Sequence, residues 1–167
     1  MEKELYLRRE KAIAFTGHRI IPLAWQDKVR ERLTAVVTLA CKLGMTHFYC
    51  GMALGFDMMA AEVVLSLKDK FPGIQLIAIV PFSGQSSRWT SSEQEHYHQI
   101  LVRTNKVVTL SENYFRGCLL RRNDYMLSHS CGVIAYFDGK PQGGTFYTVR
   151  KAGKMKMNVV NIYDKRG

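Results

Sequence analysis

Short runs rich in β-branched and aromatic residues alternate along the chain with stretches whose apolar positions recur every three or four residues. That alternation is the pattern of repeated β-α-β units built around a mostly parallel sheet. Six runs read as strands, at 11–16, 46–51, 74–81, 106–110, 132–137 and 157–162. Between the first two, Val29, Leu33, Val36, Val37 and Ala40 form one apolar helical face, and Gly44 is placed to stop the helix. Residues 57–70 predict a second helix, whose Ala60, Ala61, Val64 and Leu65 suit close packing on a sheet before Phe71-Pro72-Gly73 breaks it. Ser91 or Ser92, followed by Gln94 and Glu95, offers a capping-box start for a third helix running to about residue 104. A fourth covers 117–129, and a short fifth at 145–152 leads through Gly153 into the last strand. The expected fold class is therefore α/β, a single doubly wound, mostly parallel sheet of about six strands with helices on both faces. In such folds ligands bind at the carboxyl ends of the strands, near the point where the strand order reverses.

The 167 residues, 47% hydrophobic and 23% charged, suffice for one domain over 1–167 without a disulfide or metal staple. No repeat, linker or low-complexity stretch interrupts them. There is no apolar run of about 18 residues to span a bilayer, and residues 1–9 alternate charge with Leu and Tyr instead of forming a signal-peptide core. The expectation is a cytoplasmic protein with no membrane partner. Cys41, Cys50, Cys118 and Cys131 form no CxxC pair and sit in or beside apolar segments, as reduced buried thiols do. His96 and His98 stand two apart, so they do not share a helical face as zinc ligands would, and no metal site is expected. The net charge of +10 predicts attraction to polyanions and phosphorylated ligands. From Lys140 onward seven Lys or Arg face one acid, Asp164, which a solvated basic face explains as well as a nucleic-acid footprint does.

Three loops on one rim could carry chemistry. The first strand leads into Thr16-Gly17-His18-Arg19, the second into the stretch from Gly51 through Gly55 to Asp57, and the fifth into Gln142-Gly143-Gly144-Thr145. Glycine lets a ligand approach the main chain, and a helix start just beyond presents free N–H groups to an anion. Together they suggest a phosphate cradle, although neither GxGxxG nor GxxxxGK[ST] is present. Arg19 is placed to grip a phosphate or carboxylate in bidentate fashion, and His18 to donate a hydrogen bond, with a rim salt bridge and a helix-entry residue as the plain alternatives. Asp57 reads equally as a helix cap and as an acceptor for ribose hydroxyls or a general base. Glu62, five residues on, faces away from Asp57 and is read as structural. Of Arg121 and Arg122, about 100° apart on a helix, one at most faces the crevice. Phe82 and Trp89 could stack on a base, but packing a loop onto the core is the commoner use of such residues.

These residues in this order resemble the SLOG superfamily, the Rossmann-like group that includes the LOG phosphoribohydrolases and the DNA-processing protein DprA, and within it the YpsA-like branch. The resemblance rests on Thr16-Gly17, the GxxxGxDxxAAE run from Gly51 to Glu62, Pro81-Phe82 with Gln85, Trp89 and Tyr97, Arg122-Asn123 with Met126, and Gly143-Gly144-Thr145. It covers nearly the whole chain and implies a SLOG-type Rossmann-like domain, of bacterial or phage origin, that binds a nucleotide or nucleotide-derived ligand. The expected ligand-binding residues are Thr16, Gly17, His18, Arg19, Gly51, Gly55, Asp57, Pro81, Phe82, Arg122, Asn123, Gly143, Gly144 and Thr145; no cofactor is expected. The LOG enzymes use an Arg and a Glu after a Gly-Thr pair to cleave base from ribose 5′-phosphate. Arg122 corresponds to that Arg, but the Glu position falls on Thr148, which supplies no carboxylate. The resemblance therefore favours a sensing module that binds a nucleotide-derived small molecule. The alternatives are an N-glycosidase with Arg122 and Asp57 as catalytic residues, and, third, DprA-like single-strand binding. Homodimerisation is common in the superfamily, with Met45, Met52, Met58, Met59, Met126 and Trp25 as apolar material.

Overall fold

The computed structural model describes residues 9–167; residues 1–8, where the chain alternates charge with Leu and Tyr, lie outside the described residues. The strands are β1 Ala12–Gly17, β2 His47–Cys50, β3 Gln75–Val80, β4 Lys106–Thr109, β5 Gly132–Tyr136 and β6 Asn158–Asn161. The helices are α1 Gln26–Lys42, α2 Phe56–Leu67, α3 Ser91–Leu101, α4 Cys118–Ser128 and α5 Gly143–Lys154, with a 3-10 turn at Leu23–Trp25. All six strands pair in parallel in the order β4-β3-β2-β1-β5-β6. The order reverses between β1 and β5, and adjacent connections there leave in opposite directions and open a crevice.

Each predicted strand is found to within a residue at either end. Two helix starts differ. The third helix is capped by Thr90, not by Ser91 or Ser92: its hydroxyl accepts from the Glu93 N–H while Glu93 closes the reciprocal bond to the Thr90 amide. The fifth begins at Gly143 and runs through Gly153 to Lys154, with Thr145, Thr148 and Ala152 as its buried face.

The sheet divides the core. On one face α1, α2 and α3 cover a cluster that includes Phe15, Phe48, Phe56, Leu33, Val37, Val64 and Leu76. On the other, α4 and α5 bring Met126, Leu127 and Ala152 against Ala14, Ile79 and Val133. Ala60 and Ala61 are fully buried, so α2 lies close to the sheet. Each larger neighbour it buries, such as Val64, contributes about 1.5–3 kcal/mol. The edge strands carry polar residues, with Lys106 and Thr109 in β4 and Asn158 and Asn161 in β6, which discourages pairing with another chain. Met52, Met58, Met59 and Met126 are buried, and Met45 and Trp25 pack on the core, so they are core material. Among the described residues no helix is long and apolar enough to cross a membrane.

Candidate functional site

The crevice beyond β1 and β5 is a cleft of about 250 Å³. Thr16, Gly17, His18 and Arg19 enter it from β1, Ala53 and Asp57 from the start of α2, Leu119, Arg122 and Asn123 from α4, and Gln142 to Thr145 from α5. Topology thus brings together residues more than 120 positions apart in the chain.

The β2–α2 loop turns sharply to aim Asp57. Met52 (φ 58°) and Gly55 (φ 81°) both occupy the left-handed region, and the Phe56 N–H donates to the His18 carbonyl at 3.1 Å. A Cβ at Gly55 would meet the Arg19 carbonyl oxygen well inside 3.0 Å, so only glycine fits this crossing. Asp57 Oδ2 accepts from the Ala53 N–H at 3.2 Å, whereas Oδ1 is buried without a hydrogen-bond partner among the described residues. Burial pushes the carboxyl up to about 6, against the opposing influence of Arg122, the Ala53 amide and Arg19. Asp57 is thus a lining residue that ties the loop ahead of its own helix. Among the described residues no other acidic side chain lines the cleft.

Arg122 is buried behind it. Its Nε donates to Asn123 Oδ1 at 2.8 Å and its Nη1 to the Gly51 carbonyl. Desolvation lowers its pKa, partly offset by the Asp57 carboxylate. A Cβ at Gly51 would stand 2.6 Å from Nη1, so the glycine makes room for the guanidinium instead of meeting a ligand. Arg121 points outward, over the Phe115 ring.

The opposite wall is the start of α5. Gln142 provides no side-chain cap, no acid occupies the first turn, and Gly143 has a φ of 87°. The amide groups of an uncapped helix N-terminus, reinforced by its dipole, suit an anion. Thr145 is buried against this turn, and Thr148, at the position where the resemblance expects a Glu, donates its hydroxyl to the Gly144 carbonyl at 2.9 Å.

Several expected site residues do not line this cleft. Gly51 and Gly55 shape it from behind, and Pro81 is buried beyond it. Phe82 lines a neighbouring cleft of about 590 Å³ with Arg19, Gln85, Arg88, Trp89, Tyr114 and Leu119. His18 is committed elsewhere, with Nε2 3.0 Å from the Asp138 amide nitrogen and 3.2 Å from its carboxylate, leaving Nδ1 alone for a ligand. Arg19 forms no ion pair among the described residues, and the rim contact between a basic and an acidic side chain is that of His18 with Asp138. Glu62 pairs with Arg30 and His96 away from the cleft, as its helical position predicts. No group of three metal-ligating side chains occurs among the described residues. Leu119 lies in the lining without having been singled out; the adjacency of the α4 start to the β1 end is the tertiary signal that one sequence lacks.

The comparisons with known proteins agree with this architecture. The chain is 32% identical over 153 residues to a UPF0398 protein of Halalkalibacterium halodurans, covering 86% of this chain and 81% of that one. It is 29% identical over 119 residues to a UPF0398 protein of Brevibacillus brevis, covering 66% of this chain and 63% of that one. Among solved structures it is similar in fold to DNA processing protein A from Helicobacter pylori, which binds single-stranded DNA, with a TM-score of 0.64 and 22% identity. That match covers 93% of this chain but 66% of the other. The profile of the YspA SLOG family, YpsA, matches residues 13–164, from β1 past the end of β6, and the chain belongs to that family.

Proposed function

We propose that the cleft binds a phosphorylated, nucleotide-derived small molecule and that the protein acts as a binding or sensing module. The observation that carries this reading is the polarity of the cleft: an uncapped, acid-free helix start at Gly143 to Thr145 faces a single buried carboxylate, Asp57, whose Oδ1 lacks a partner. A phosphate belongs at the first end and a hydroxyl donor, such as a ribose hydroxyl, at the second. Arg19 stands at the rim to meet the anion, and Asn123 lies beside Gly144. Arg122 positions this wall and supplies fixed positive charge.

The hydrolytic alternative requires a carboxylate facing the developing positive charge on the sugar. At the position where the family's enzymes carry it, the Thr148 hydroxyl is spent on the Gly144 carbonyl, leaving Asp57 as the sole candidate. Single-strand binding draws support from the net charge of +10 and from the likeness to the H. pylori protein, and a steep fall of affinity with salt would mark it.

Gly144→Asp tests the proposal. A Cβ there meets nothing nearer than Asn123 Nδ2 at 3.8 Å, and an acid in the first turn suits the helix, so folding is retained. The wild type, titrated with ribose 5-phosphate and a panel of nucleoside phosphates, is expected to gain about 2.7 kcal/mol of stability at roughly a hundred times the dissociation constant. Gly144→Asp is expected to lose that gain. An unchanged gain in the variant would remove phosphate from this helix start, and base release from a monophosphate would convert the sensor into an enzyme.

A further inference from the structure

The neighbouring cleft of about 590 Å³ takes no part in the reading above, yet it is built from chemistry that recurs at base-binding sites. Its walls come from two loops, residues 81–90 between β3 and α3 and residues 110–117 between β4 and α4. Phe82 and Tyr114 meet edge to face at 5.5 Å, and Trp89 meets Tyr97 edge to face at 5.2 Å. Tyr114 lines the space and is 64% exposed, so its ring is accessible from the cleft. Arg19 and Arg88 line the same space, neither forms an ion pair among the described residues, and no acid lines it.

Two features join this cleft to the first. Arg19 and Leu119 line both. The Gly51 carbonyl accepts from Arg122 on one side and from Gln85 Nε2, at 3.1 Å, on the other. Gln85 is fixed at its far end as well, because Oε1 accepts from the Tyr97 hydroxyl at 3.3 Å. The dividing wall is therefore braced by hydrogen bonds, and the groups that line the space are the two arginines and the aromatic rings, of which Trp89 is also packed on the core cluster. The first cleft, at about 250 Å³, is below the usual range of roughly 300–1,000 Å³ for a small-molecule site, whereas the second lies within it.

We infer that the second cleft is the nucleobase subsite of the same ligand: a planar heteroaromatic ring stacks among Phe82, Tyr114 and Trp89, and Arg19 meets the phosphate at the junction. The inference rests on the phosphate and hydroxyl assignment of the first cleft. Base-on-aromatic stacking is insensitive to which base is present, since every base has a π-face. The occupant is the base of a mononucleotide or a base joined through a pyrophosphate to the ribose phosphate of the first cleft, and the two are separable by experiment.

Calorimetric titration of the full chain with ribose 5-phosphate, AMP and ADP-ribose, on the wild type and on Tyr114→Ala and Phe82→Ala, decides the matter; thermal melting checks each fold. The wild type is expected to bind at least one of the two nucleotides at least tenfold more tightly than ribose 5-phosphate. The Tyr114 and Phe82 variants are expected to lose at least fivefold in nucleotide affinity while keeping that for ribose 5-phosphate. Preference for AMP assigns the base of a mononucleotide, and preference for ADP-ribose a two-part ligand. Nucleotide affinity unchanged in both variants, or equal to that of ribose 5-phosphate in the wild type, overturns the subsite but leaves the phosphate reading intact. No binding of any of the three overturns both. Tight binding of a short oligothymidylate with none of the three replaces the small molecule by a single strand.

Discussion

Replacing Asp57 by asparagine removes a buried negative charge and keeps the side-chain oxygen that receives the Ala53 N–H. The position of Oδ1 is without a partner in the native protein and stays so in the variant, so the unsatisfied group cancels between the two. Burial raises the carboxyl from its ordinary 3.8 to about 6. A carboxyl whose folded value exceeds its unfolded one holds its proton more tightly in the native state. Its contribution to stability is complete below about pH 4 and is lost as the pH climbs through about 6. At about 1.4 kcal/mol per pH unit, the distance from 3.8 to about 6 places about 3 kcal/mol against the folded state of the wild type above neutrality. Asp57→Asn is free of that penalty, so it is expected to melt up to about 6–12 °C higher near pH 7.5 and close to the wild type near pH 4. Thermal melts of both proteins from about pH 4 to 8 at constant ionic strength measure the difference, and other titrating groups drop out of it. A gap that does not change with pH, or a variant that melts lower at about pH 7.5, would refute the account of a desolvated, under-partnered carboxylate. A hydroxyl-bearing ligand would be expected to bind the variant less tightly even as the variant gains stability.

Other expectations are simpler. Gly17→Ala puts a Cβ into the Phe56 ring, well inside 3.0 Å, and is expected to lower stability by about 1–3 kcal/mol in denaturant titrations. Gly55→Ala combines a left-handed φ with a collision on the Arg19 carbonyl, so it is expected to unfold the β2–α2 loop and to act on the fold before it acts on a ligand. Arg122→Gln removes the main charge that opposes the effect of burial on Asp57, so in that background the gain from Asp57→Asn is expected to be larger and to level off at a pH above about 6, while still vanishing near pH 4. Native thiol titration is expected to label Cys41 and Cys131 and to spare Cys50 and Cys118, which react only after unfolding.

Strand positions were readable because buried parallel strands are continuous apolar runs bounded by polar turns, and 74–81 or 132–137 needs no neighbour to be recognised. Helical geometry limited the inward-facing arginine to one of Arg121 and Arg122, since adjacent residues diverge, and the family resemblance pointed to Arg122. What the sequence concealed was the difference between lining a cleft and shaping one. Gly51 and Gly55 stand in the same run as Asp57, yet one glycine clears space for Arg122 and the other for the Arg19 carbonyl. Both contacts join segments far apart in the chain, so no local spacing encodes them. Thr90 was passed over as a cap for a different reason: three hydroxyl residues follow one another at 90–92, and only the backbone decides which begins the helix.

The reversal of strand order between β1 and β5 explains why this cleft is electrically asymmetric. The β1 end faces the start of α2 on one side and the start of α5 on the other, and both helices point their positive ends at it. Two such ends with no acid would form a pure anion trap. Here one of them carries Asp57 in its first turn, and the other carries only glycine and threonine. The carboxylate weakens anion binding at its own end and leaves the α5 start as the phosphate position, which fixes the direction in which a sugar phosphate enters. Moving the acid to the α5 start should therefore close the phosphate position even at constant net charge. Asp57→Asn combined with Gly144→Asp leaves the net charge unchanged and moves the acid across the cleft, and ribose 5-phosphate is expected to bind the double variant no better than Gly144→Asp alone. Recovery of wild-type affinity would mean that only the total charge of the cleft matters and not its arrangement.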